Sequence, residues 1–304
     1  MKIAILIPCY NEAITIGKVV ADFKAAIPEA EIHVFDNLSQ DGTGDIARTA
    51  GAIVHLAPVR GKGTVVRQMF RELDCDVGII VDGDDTYPAN KVCEVMQPIL
   101  DGRADMVVGT RLQQHQDASF RPLHVFGNAL VLRVINMLFG AKLSDVMSGY
   151  RAFSRRFMTT TPVLSDGFEI ETEITLHALE HNMPIVEVPV DYGVRPEGSE
   201  SKLHTFRDGY RVLKTILRLY KDYRPLLFFG VIGFALVLLS SLLGVLIVQE
   251  FMTFGRAGPA RAVLAVTLGL IGVLSFATGL VLDTVNRRAR ELMVLISDQL
   301  VRRV

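Results

Sequence analysis

The sequence predicts an α/β protein with an open, mostly parallel sheet, followed by two helices that cross a membrane. Short apolar runs rich in β-branched residues alternate with stretches of helical periodicity over residues 2–109, as in a parallel sheet with helices on both faces. Near the C-terminus, two long segments carry no charged residue. These segments explain a mean hydropathy of +0.33, which is high for a wholly soluble protein.

Each predicted element of the sheet has its own signal in the sequence. Five apolar runs are predicted strands: Ile3–Ile7, Ile32–Asp36, Ile53–Leu56, Val77–Asp82 and Met106–Gly109. The stretches between and after them are predicted helices: Ala13–Ala26, Gly42–Ala50, Gly63–Leu73, Asn90–Leu100, Arg121–Phe139 and Glu169–Asn182. Tyr150–Phe153 is strand-like, and Pro184–Val190 is predicted to be an edge strand because Pro189 cannot donate a ladder hydrogen bond.

The two uncharged segments are predicted transmembrane helices. Leu226–Val248 contains 23 residues and Ala262–Leu282 contains 21, and about 20 apolar residues span a bilayer. Glycines within these segments favour close packing of the two helices: Gly233, Gly244, Gly269, Gly272 and Gly279.

A basic stretch precedes the first span. Over Arg207–Tyr223, basic residues recur at spacings of four and three, which predicts an amphipathic helix along an anionic membrane surface. A solvated helix that covers the domain gives the same pattern. The link Gln249–Arg261 has few basic residues, whereas the segment before the first span and the C-terminal tail have many. The positive-inside rule therefore predicts cytoplasmic termini for an integral membrane protein of two spans, in a bacterial inner membrane or its equivalent.

The expected organisation has four parts: a cytoplasmic domain over 1–203, an interface helix over 204–224, a transmembrane hairpin over 225–282 and a basic tail over 283–304. A formal net charge of -1 over 304 residues gives no reason to expect a nucleic-acid partner. The three cysteines lack the close pairing of a zinc site and give no disulfide framework.

The acidic residues that follow Val77–Ile80 are the first candidate for chemistry. Asp82, Asp84 and Asp85 come at the carboxyl end of a predicted parallel strand, which is where ligands bind in open α/β sheets. Asp82 and Asp84 are separated only by Gly83, so their oxygens can face one divalent cation that also holds a diphosphate. A solvated turn that closes an ordinary strand is the alternative.

Two further polar clusters follow neighbouring strands. Pro8–Glu12 comes after the first strand and Asp36–Thr43 after the second, so parallel strands would bring both clusters to the same edge as Asp82. Asp36 can accept hydrogen bonds from a base or ribose, and Asp41 and Thr43 can cap the next helix. The segment Arg60–Thr64 resembles a phosphate loop but lacks the GxxxxGK[ST] spacing, which argues against an ATPase.

The conjunction of motifs resembles glycosyltransferase family 2, and most closely its polyprenyl-phosphate (dolichyl-phosphate) mannose and glucose synthase branch. The resemblance covers residues 1–224. It is carried by these blocks in order: Pro8–Glu12, Asp36–Thr43, Gly61–Gly63, Asp82–Asp85, Gly109–Arg111, Asp145–Arg151 and Ser201–Leu203.

The resemblance implies a GT-A fold, Rossmann-like with a mostly parallel sheet, and an inverting transfer from a UDP or GDP sugar that Mg²⁺ or Mn²⁺ holds at the DxD motif. Matching positions for donor binding are Pro8, Tyr10, Asn11, Glu12, Asp36, Lys62, Asp82 and Gly83. Two positions depart from the family pattern. Asn37-Leu38 stands where Asp-Gly is usual, and Thr86 stands where several mannose synthases carry glutamine, which leaves Thr86 as the candidate third metal ligand beside Asp82 and Asp84.

The resemblance also implies a lipid acceptor, a polyprenyl (undecaprenyl-like) phosphate. Such a phosphate is already anionic at neutral pH, so it needs cations rather than a general base, and arginine binds phosphate oxygens bidentately. The candidate cations are Arg111, Arg121, Arg195 and Lys202, and Asp145 and Ser148 are expected near the sugar. Asp82, Asp84, Arg111 and Arg195 are the residues predicted to be catalytic.

Two other functions fit the same sequence. A family 2 enzyme that glycosylates a hydroxyl of a cell-surface glycan or lipid would need a carboxylate base, for which Asp145 or Glu169 are the candidates. A non-catalytic membrane protein that only binds a nucleotide sugar is the second alternative. Two spans are few to shelter a long lipid, which leaves a homo-oligomer open.

Overall fold

The structure is a computed structural model that describes residues 1–111, 122–167, 169–196, 214, 217, 218, 220–256 and 258–301. The chain forms two compact units, Met1–Leu213 and Lys214–Val304. The predicted sites Arg121 and Lys202 lie outside the described residues, as does most of the predicted amphipathic helix.

One seven-stranded sheet forms the centre of the first unit. Its strands are β1 (Ile3–Cys9), β2 (Glu31–Asp36), β3 (Ile53–Leu56), β4 (Val77–Ile80), β5 (Met106–Arg111), β6 (Arg151–Ser154) and β7 (Ile185–Val190). They lie in the order β3-β2-β1-β4-β6-β5-β7. All neighbours are parallel except β6, which lies antiparallel between β4 and β5. The predicted mostly parallel sheet and the edge position of β7 are confirmed.

Helices connect these strands: α1 (Ile16–Ala26), α2 (Thr43–Thr49), α3 (Lys62–Glu72), α4 (Val92–Leu100), α5 (Pro122–Phe139), α6 (Arg155–Thr160) and α7 (Ile170–Glu180). Two differences from the prediction have local causes. Helix α1 begins three residues later than Ala13, because the amide of Ala13 is bound by the Asp41 carboxylate at 3.0 Å outside the helix. Helix α6 was not predicted; the Ser154 hydroxyl caps it by accepting the Phe157 amide at 3.1 Å.

The core consists of two apolar layers, one on each face of the sheet. Along β1, Ile5 and Ile7 belong to one layer, and Leu6 belongs to the other. Because successive side chains point to opposite faces, a central strand covered on both sides is apolar throughout. The continuous apolar run at Ile3–Ile7 is therefore the signature of a strand buried on both faces.

The loops that follow β1, β2 and β4 meet at one edge of the sheet, as the sequence predicts. The amide of Asn11 donates to the Ser39 hydroxyl at 3.0 Å, and the amide of Glu12 donates to the Thr43 hydroxyl at 2.9 Å. The Thr15 hydroxyl donates to the carbonyl of Gly83 at 2.6 Å. Three segments that are far apart in sequence are thus tied into a single polar surface.

The second unit contains two long helices, α8 (Pro225–Phe254) and α9 (Pro259–Val301). Both include segments long and apolar enough to cross a membrane, and little of that surface is buried within the protein. Helix α9 continues past its apolar segment into basic residues such as Arg287 and Arg288.

Glycine and serine residues hold α8 against α9. A Cβ atom on Gly233 would lie 2.6 Å from the carbonyl oxygen of Gly272, and one on Gly272 would lie 2.8 Å from the carbonyl oxygen of Gly233. The Ser240 and Ser275 hydroxyls donate across the hairpin to the carbonyls of Ala265 and Phe229 at 2.7 and 2.9 Å. The expectation for Gly244 was wrong, because among the described residues no atom outside its own stretch of helix lies within 4 Å of its Cβ position.

This packing predicts opposite effects for two identical substitutions. Gly272→Ala should lower the melting temperature of the full-length protein in detergent, since overpacking typically costs about 1–3 kcal/mol. Gly244→Ala has no neighbour to displace and should be neutral or stabilising, because alanine favours a helix over glycine by about 1 kcal/mol. Equal melting temperatures for the two variants would contradict the described helix contact.

Candidate active site

The acidic segment after β4 depends on a close approach to β1. A Cβ atom at position 83 would lie 2.6 Å from the sulfur of Cys9, so only glycine lets the backbone pass here. Burial raises the pKa of the Cys9 thiol well above its usual range, with Glu12 and Asp36 adding to the effect. Cys9 is therefore an uncharged packing residue. It packs against Gly83, and Asp82 and Asp84 flank Gly83 in the sequence.

Asp82 is paired with a lysine that also binds a second acid. The Lys62 Nζ lies 2.6 Å from Asp82 Oδ1 and 2.6 Å from Glu171 Oε1. Lys62 is the first residue of α3, and Glu171 lies in the first turn of α7. Burial opposes the charge of Lys62, but the two carboxylates outweigh it and raise the pKa of the ammonium above its usual value. Lys62 is accordingly a fixed cation.

Asp84 is almost fully buried, and its two oxygens have different partners. Its Oδ2 lies 2.5 Å from Nη2 of Arg195. Its Oδ1 accepts the Thr86 hydroxyl at 2.6 Å and the Thr86 amide at 3.2 Å. Burial and the neighbouring Asp82 raise the pKa of Asp84, and Arg195 opposes that rise. A buried carboxylate in this position requires a cation beside it.

Arg111 and Asp145 form a second buried ion pair at this edge. The Nε and Nη2 atoms of Arg111 donate to the two oxygens of Asp145 at 2.7 and 2.9 Å. Burial alone would raise the pKa of Asp145, but the guanidinium of Arg111 holds it below its usual value. The guanidinium carbon also lies 5.5 Å from the centre of the Tyr192 ring, so the orientation of Arg111 is set from two sides.

The segment that precedes β6 supports the acidic loop. Ser148 donates its hydroxyl to the carbonyl of Gly109 at 2.5 Å, and the amide of Gly149 donates to the Tyr87 hydroxyl at 3.0 Å. Gly149 lies directly against the carboxylate of Asp82, where any Cβ atom would clash. Asp82 therefore lies between Lys62 and the Gly149 backbone.

Sequence analysis missed the residue that fixes this segment, Arg151. It is 1% exposed and donates to the carbonyls of Val146 and Ser148 at 2.7 and 2.8 Å and to the Thr175 hydroxyl at 2.7 Å. Burial lowers the pKa of its guanidinium. An arginine inside an otherwise apolar strand is the one signal that the sequence offers for such a role.

On the other side of the site, Asn37 has a structural task. Its Nδ2 donates to the carbonyls of Ala57 and Val59 at 2.9 and 2.7 Å, and its Oδ1 accepts the Gly61 amide at 2.9 Å. The segment that Asn37 holds carries Arg60, whose guanidinium carbon lies 4.5 Å from the centre of the Tyr10 ring. Asn37, which stands where Asp is usual in the family pattern, thus anchors a loop that is next to the predicted donor site.

The remaining predicted donor residues line the same edge. Pro8 is in register with Phe35 where β1 and β2 approach their ends. Asn11 Oδ1 accepts the Gln40 amide at 2.8 Å, and Asp36 Oδ1 accepts the Ser39 amide at 2.9 Å. These contacts order the loops after β1 and β2 against each other.

Among the described residues, no group of three histidine, cysteine or acidic side chains converges as a metal site. The chemistry of Asp82 and Asp84 nevertheless fits one hard divalent cation. Magnesium is commonly bound by one or two carboxylates, with substrate phosphates and water as the other ligands. Each of these two carboxylates is paired with a side-chain cation, Lys62 or Arg195, so a metal ion would compete with that cation for the carboxylate. The Thr86 hydroxyl is directed at Asp84.

Comparisons with known proteins agree on one protein family. The model for glycosyl transferase family 2 matches residues 4–160. Glycosyltransferase AglJ of Haloferax volcanii is 32% identical over 297 residues, which cover 97% of each chain. A protein of the same organism named dolichyl-phosphate hexose transferase is 30% identical over 223 residues, which cover 73% of this chain and 95% of that protein.

A solved structure shows the same fold. Glucosyl-3-phosphoglycerate synthase from Mycobacterium tuberculosis, crystallised with Mn²⁺, UDP-glucose and phosphoglyceric acid, matches with a TM-score of 0.60 and 21% identity, over 72% of this chain and 79% of that chain. The first unit therefore has a GT-A-like α/β fold.

The Arg111–Asp145 pair predicts a pH-dependent stability. Because the pKa of Asp145 is lower in the folded protein than in the unfolded chain, its ionised carboxylate stabilises the fold. This stabilisation is fully present above the unfolded pKa of about 3.9, and it is lost as the pH falls through the folded pKa. At pH 7, Asp145→Asn leaves a buried guanidinium without its carboxylate, which typically costs about 3–5 kcal/mol.

Thermal unfolding followed by circular dichroism tests this. The melting temperature of Asp145→Asn should lie well below that of the wild type near neutral pH, and the difference should shrink as the pH falls below about 4. Asp101→Asn, which removes an exposed partner of Arg103, is the matched control and should change little. A loss of melting temperature in Asp145→Asn that is the same at every pH would contradict the ion pair between Asp145 and Arg111.

Proposed function

The chain belongs to glycosyl transferase family 2, and from that premise we propose that it transfers one sugar from a nucleoside-diphosphate sugar to a polyprenyl phosphate. The transfer is metal-dependent and inverts the anomeric centre, and it takes place at the cytoplasmic face of a membrane. The relative named dolichyl-phosphate hexose transferase supports the acceptor class. The neighbour crystallised with Mn²⁺ and UDP-glucose supports the donor and the metal.

The state of Asp145 is the observation that carries the proposal. Both of its oxygens are bound by Arg111, and its pKa is held low, so it is a poor proton acceptor. Glu169, the other candidate base, folds back toward Gly167 at the start of α7. A hydroxyl acceptor needs a base, whereas a lipid phosphate arrives as an anion and needs only cations. The site offers fixed cations.

Asp82 and Asp84 are the residues that would hold Mg²⁺ or Mn²⁺, and the ion would neutralise the charge that develops on the departing diphosphate. Lys62 adds a fixed positive charge beside Asp82. Tyr10, Asn11, Glu12 and Asp36 belong to the loops that would receive the nucleoside. This arrangement keeps the leaving group at the carboxyl ends of β1, β2 and β4.

Arg111 and Arg195 would bind the acceptor phosphate. The two donors that Arg111 gives to Asp145 fix the plane of its guanidinium, and a guanidinium binds phosphate oxygens bidentately. Arg195 approaches the same region from the segment after β7 and reaches Asp84. An acceptor oxygen held between these arginines lies next to the acids that serve the donor, which suits direct in-line attack with inversion.

The membrane arrangement follows from the same proposal. Helices α8 and α9 would span the bilayer, with the link between them outside and both termini in the cytoplasm, because basic residues flank the pair. Residues 1–203 would then form the catalytic domain on the side where nucleotide sugars are made, and the acceptor would reach it from within the membrane.

A donor panel tests the proposed reaction. Full-length protein in detergent is incubated with undecaprenyl phosphate, Mn²⁺ and each of a set of radiolabelled UDP and GDP sugars. One sugar should pass into the lipid extract, and EDTA should prevent it. Hydrolysis of the donors without labelled lipid, or transfer that persists in EDTA, would contradict the proposal.

Substitution of Asp84 tests the role of the acidic loop. Asp84→Asn keeps the side-chain shape but removes the charge that the metal and Arg195 require, so transfer should fall to background. Asp85→Asn is the matched control, because Asp85 pairs with Lys18 at 2.7 Å on α1 and asparagine tolerates its positive φ of 60°. Wild-type rates in Asp84→Asn would refute the metal-binding assignment.

A further inference from the structure

We propose that Glu171 is a positioning residue that holds Lys62 when Asp82 turns to the metal ion. This inference rests on the metal binding of the proposed function, and it assigns a task to a buried acid that the reaction itself does not use. Glu171 lies in the first turn of α7, where an acid also interacts favourably with the helix dipole.

The geometry consists of one ammonium between two carboxylates. Lys62 Nζ is equally distant, at 2.6 Å, from Asp82 Oδ1 and Glu171 Oε1. The Lys62 side chain is 12% exposed and that of Glu171 is 8% exposed. The three charges sum to minus one, so this triad (Lys62, Asp82 and Glu171) attracts a further cation.

Lys62 and a metal ion compete for the same carboxylate. If Asp82 were the sole partner of Lys62, metal binding would leave a largely buried ammonium without a counter-ion, which is strongly unfavourable. Glu171 removes this penalty, since Lys62 keeps one charged hydrogen bond when Asp82 reorients. Glu171 also supplies the extra negative charge that favours a divalent ion at this depth.

The separation between Lys62 and Glu171 is fixed by the segment before α7. The Arg67 side chain on α3 donates to the carbonyls of Val163 and Leu164 at 2.6 and 2.8 Å. The Gly63 amide donates to the carbonyl of Asp166 at 3.2 Å.

From the other side, Glu173 accepts the amides of Leu164 and Ser165 at 3.0 and 2.8 Å. The starts of α3 and α7 are therefore tied together through the segment 163–166. Glu171 is therefore held beside Lys62 independently of Asp82, which is the most exposed member of the triad, with 27% of its side chain exposed.

Metal affinity tests the proposal without any sugar transfer. Mn²⁺ is titrated into the full-length protein in detergent, and free Mn²⁺ is followed by electron paramagnetic resonance. In Glu171→Gln the net charge of the triad changes from minus one to zero, and Lys62 keeps Asp82 as its only carboxylate partner in the triad. The lost negative charge and the stronger competition from Lys62 should both weaken metal binding. The apparent Kd should rise about tenfold, which corresponds to about 1.4 kcal/mol.

Glu180→Gln is the matched control. It makes the same charge change at the far end of the same helix, outside the segment that ties α3 to α7. Its apparent Kd should stay within about twofold of the wild type. Melting temperatures of both variants separate a loss of folding from a loss of affinity. Lys62→Met removes the competitor for Asp82 and should bind Mn²⁺ at least as tightly as the wild type.

The outcomes are distinct. If the wild type binds Mn²⁺ and Glu171→Gln binds it equally well, the positioning role is wrong and the proposed function stands. A similar loss in Glu180→Gln also overturns it, because the effect would then reflect helix charge in general. If the wild type binds no Mn²⁺, the metal dependence of the proposed function fails and the positioning role fails with it.

Discussion

The two carboxylates that follow β4 are each neutralised by a cation from a distant part of the chain, and the rest of the site is arranged around these two ion pairs. Lys62 reaches Asp82 from the start of α3, and Arg195 reaches Asp84 from the segment after β7. Buried charges without partners are strongly destabilising, so the fold must bring both cations to this edge. Under the proposed function, Lys62 and Arg195 would also lie beside the phosphates of the donor and the acceptor.

The antiparallel strand β6 gives the site its second half. Because β6 runs against its neighbours between β4 and β5, the segment that precedes it arrives at the edge where β4 and β5 end. That segment brings Asp145 to Arg111 and Gly149 to Asp82. Arg151, buried in β6, holds the segment by its carbonyls. A single reversed strand thus joins the acids that would serve the donor to the arginine that would serve the acceptor.

Much of this arrangement is predictable from local patterns. Apolar runs identified the parallel strands, Pro189 identified the edge strand, and the acids after β4 marked the edge at which the polar loops meet. The partners of buried charges were not predictable, because no sequence pattern links Lys62 with Glu171 or Arg111 with Asp145 across many residues. Asn37 illustrates the same limit: its departure from the family pattern was visible, but only its hydrogen bonds to Ala57, Val59 and Gly61 show that it anchors a loop. The sequence likewise does not distinguish Gly272, which packs in the contact between α8 and α9, from Gly244, which lies outside that contact.

The central claim is that the acceptor is recognised as a phosphate and needs no base from the protein. A direct comparison of undecaprenyl phosphate with undecaprenol, at equal concentration in the same detergent and with the same donor, separates recognition of the phosphate from activation of the hydroxyl of the same lipid. The account predicts labelled lipid with undecaprenyl phosphate and none above background with undecaprenol. Transfer to undecaprenol at a comparable rate would show that the site activates a hydroxyl, and it would contradict the account.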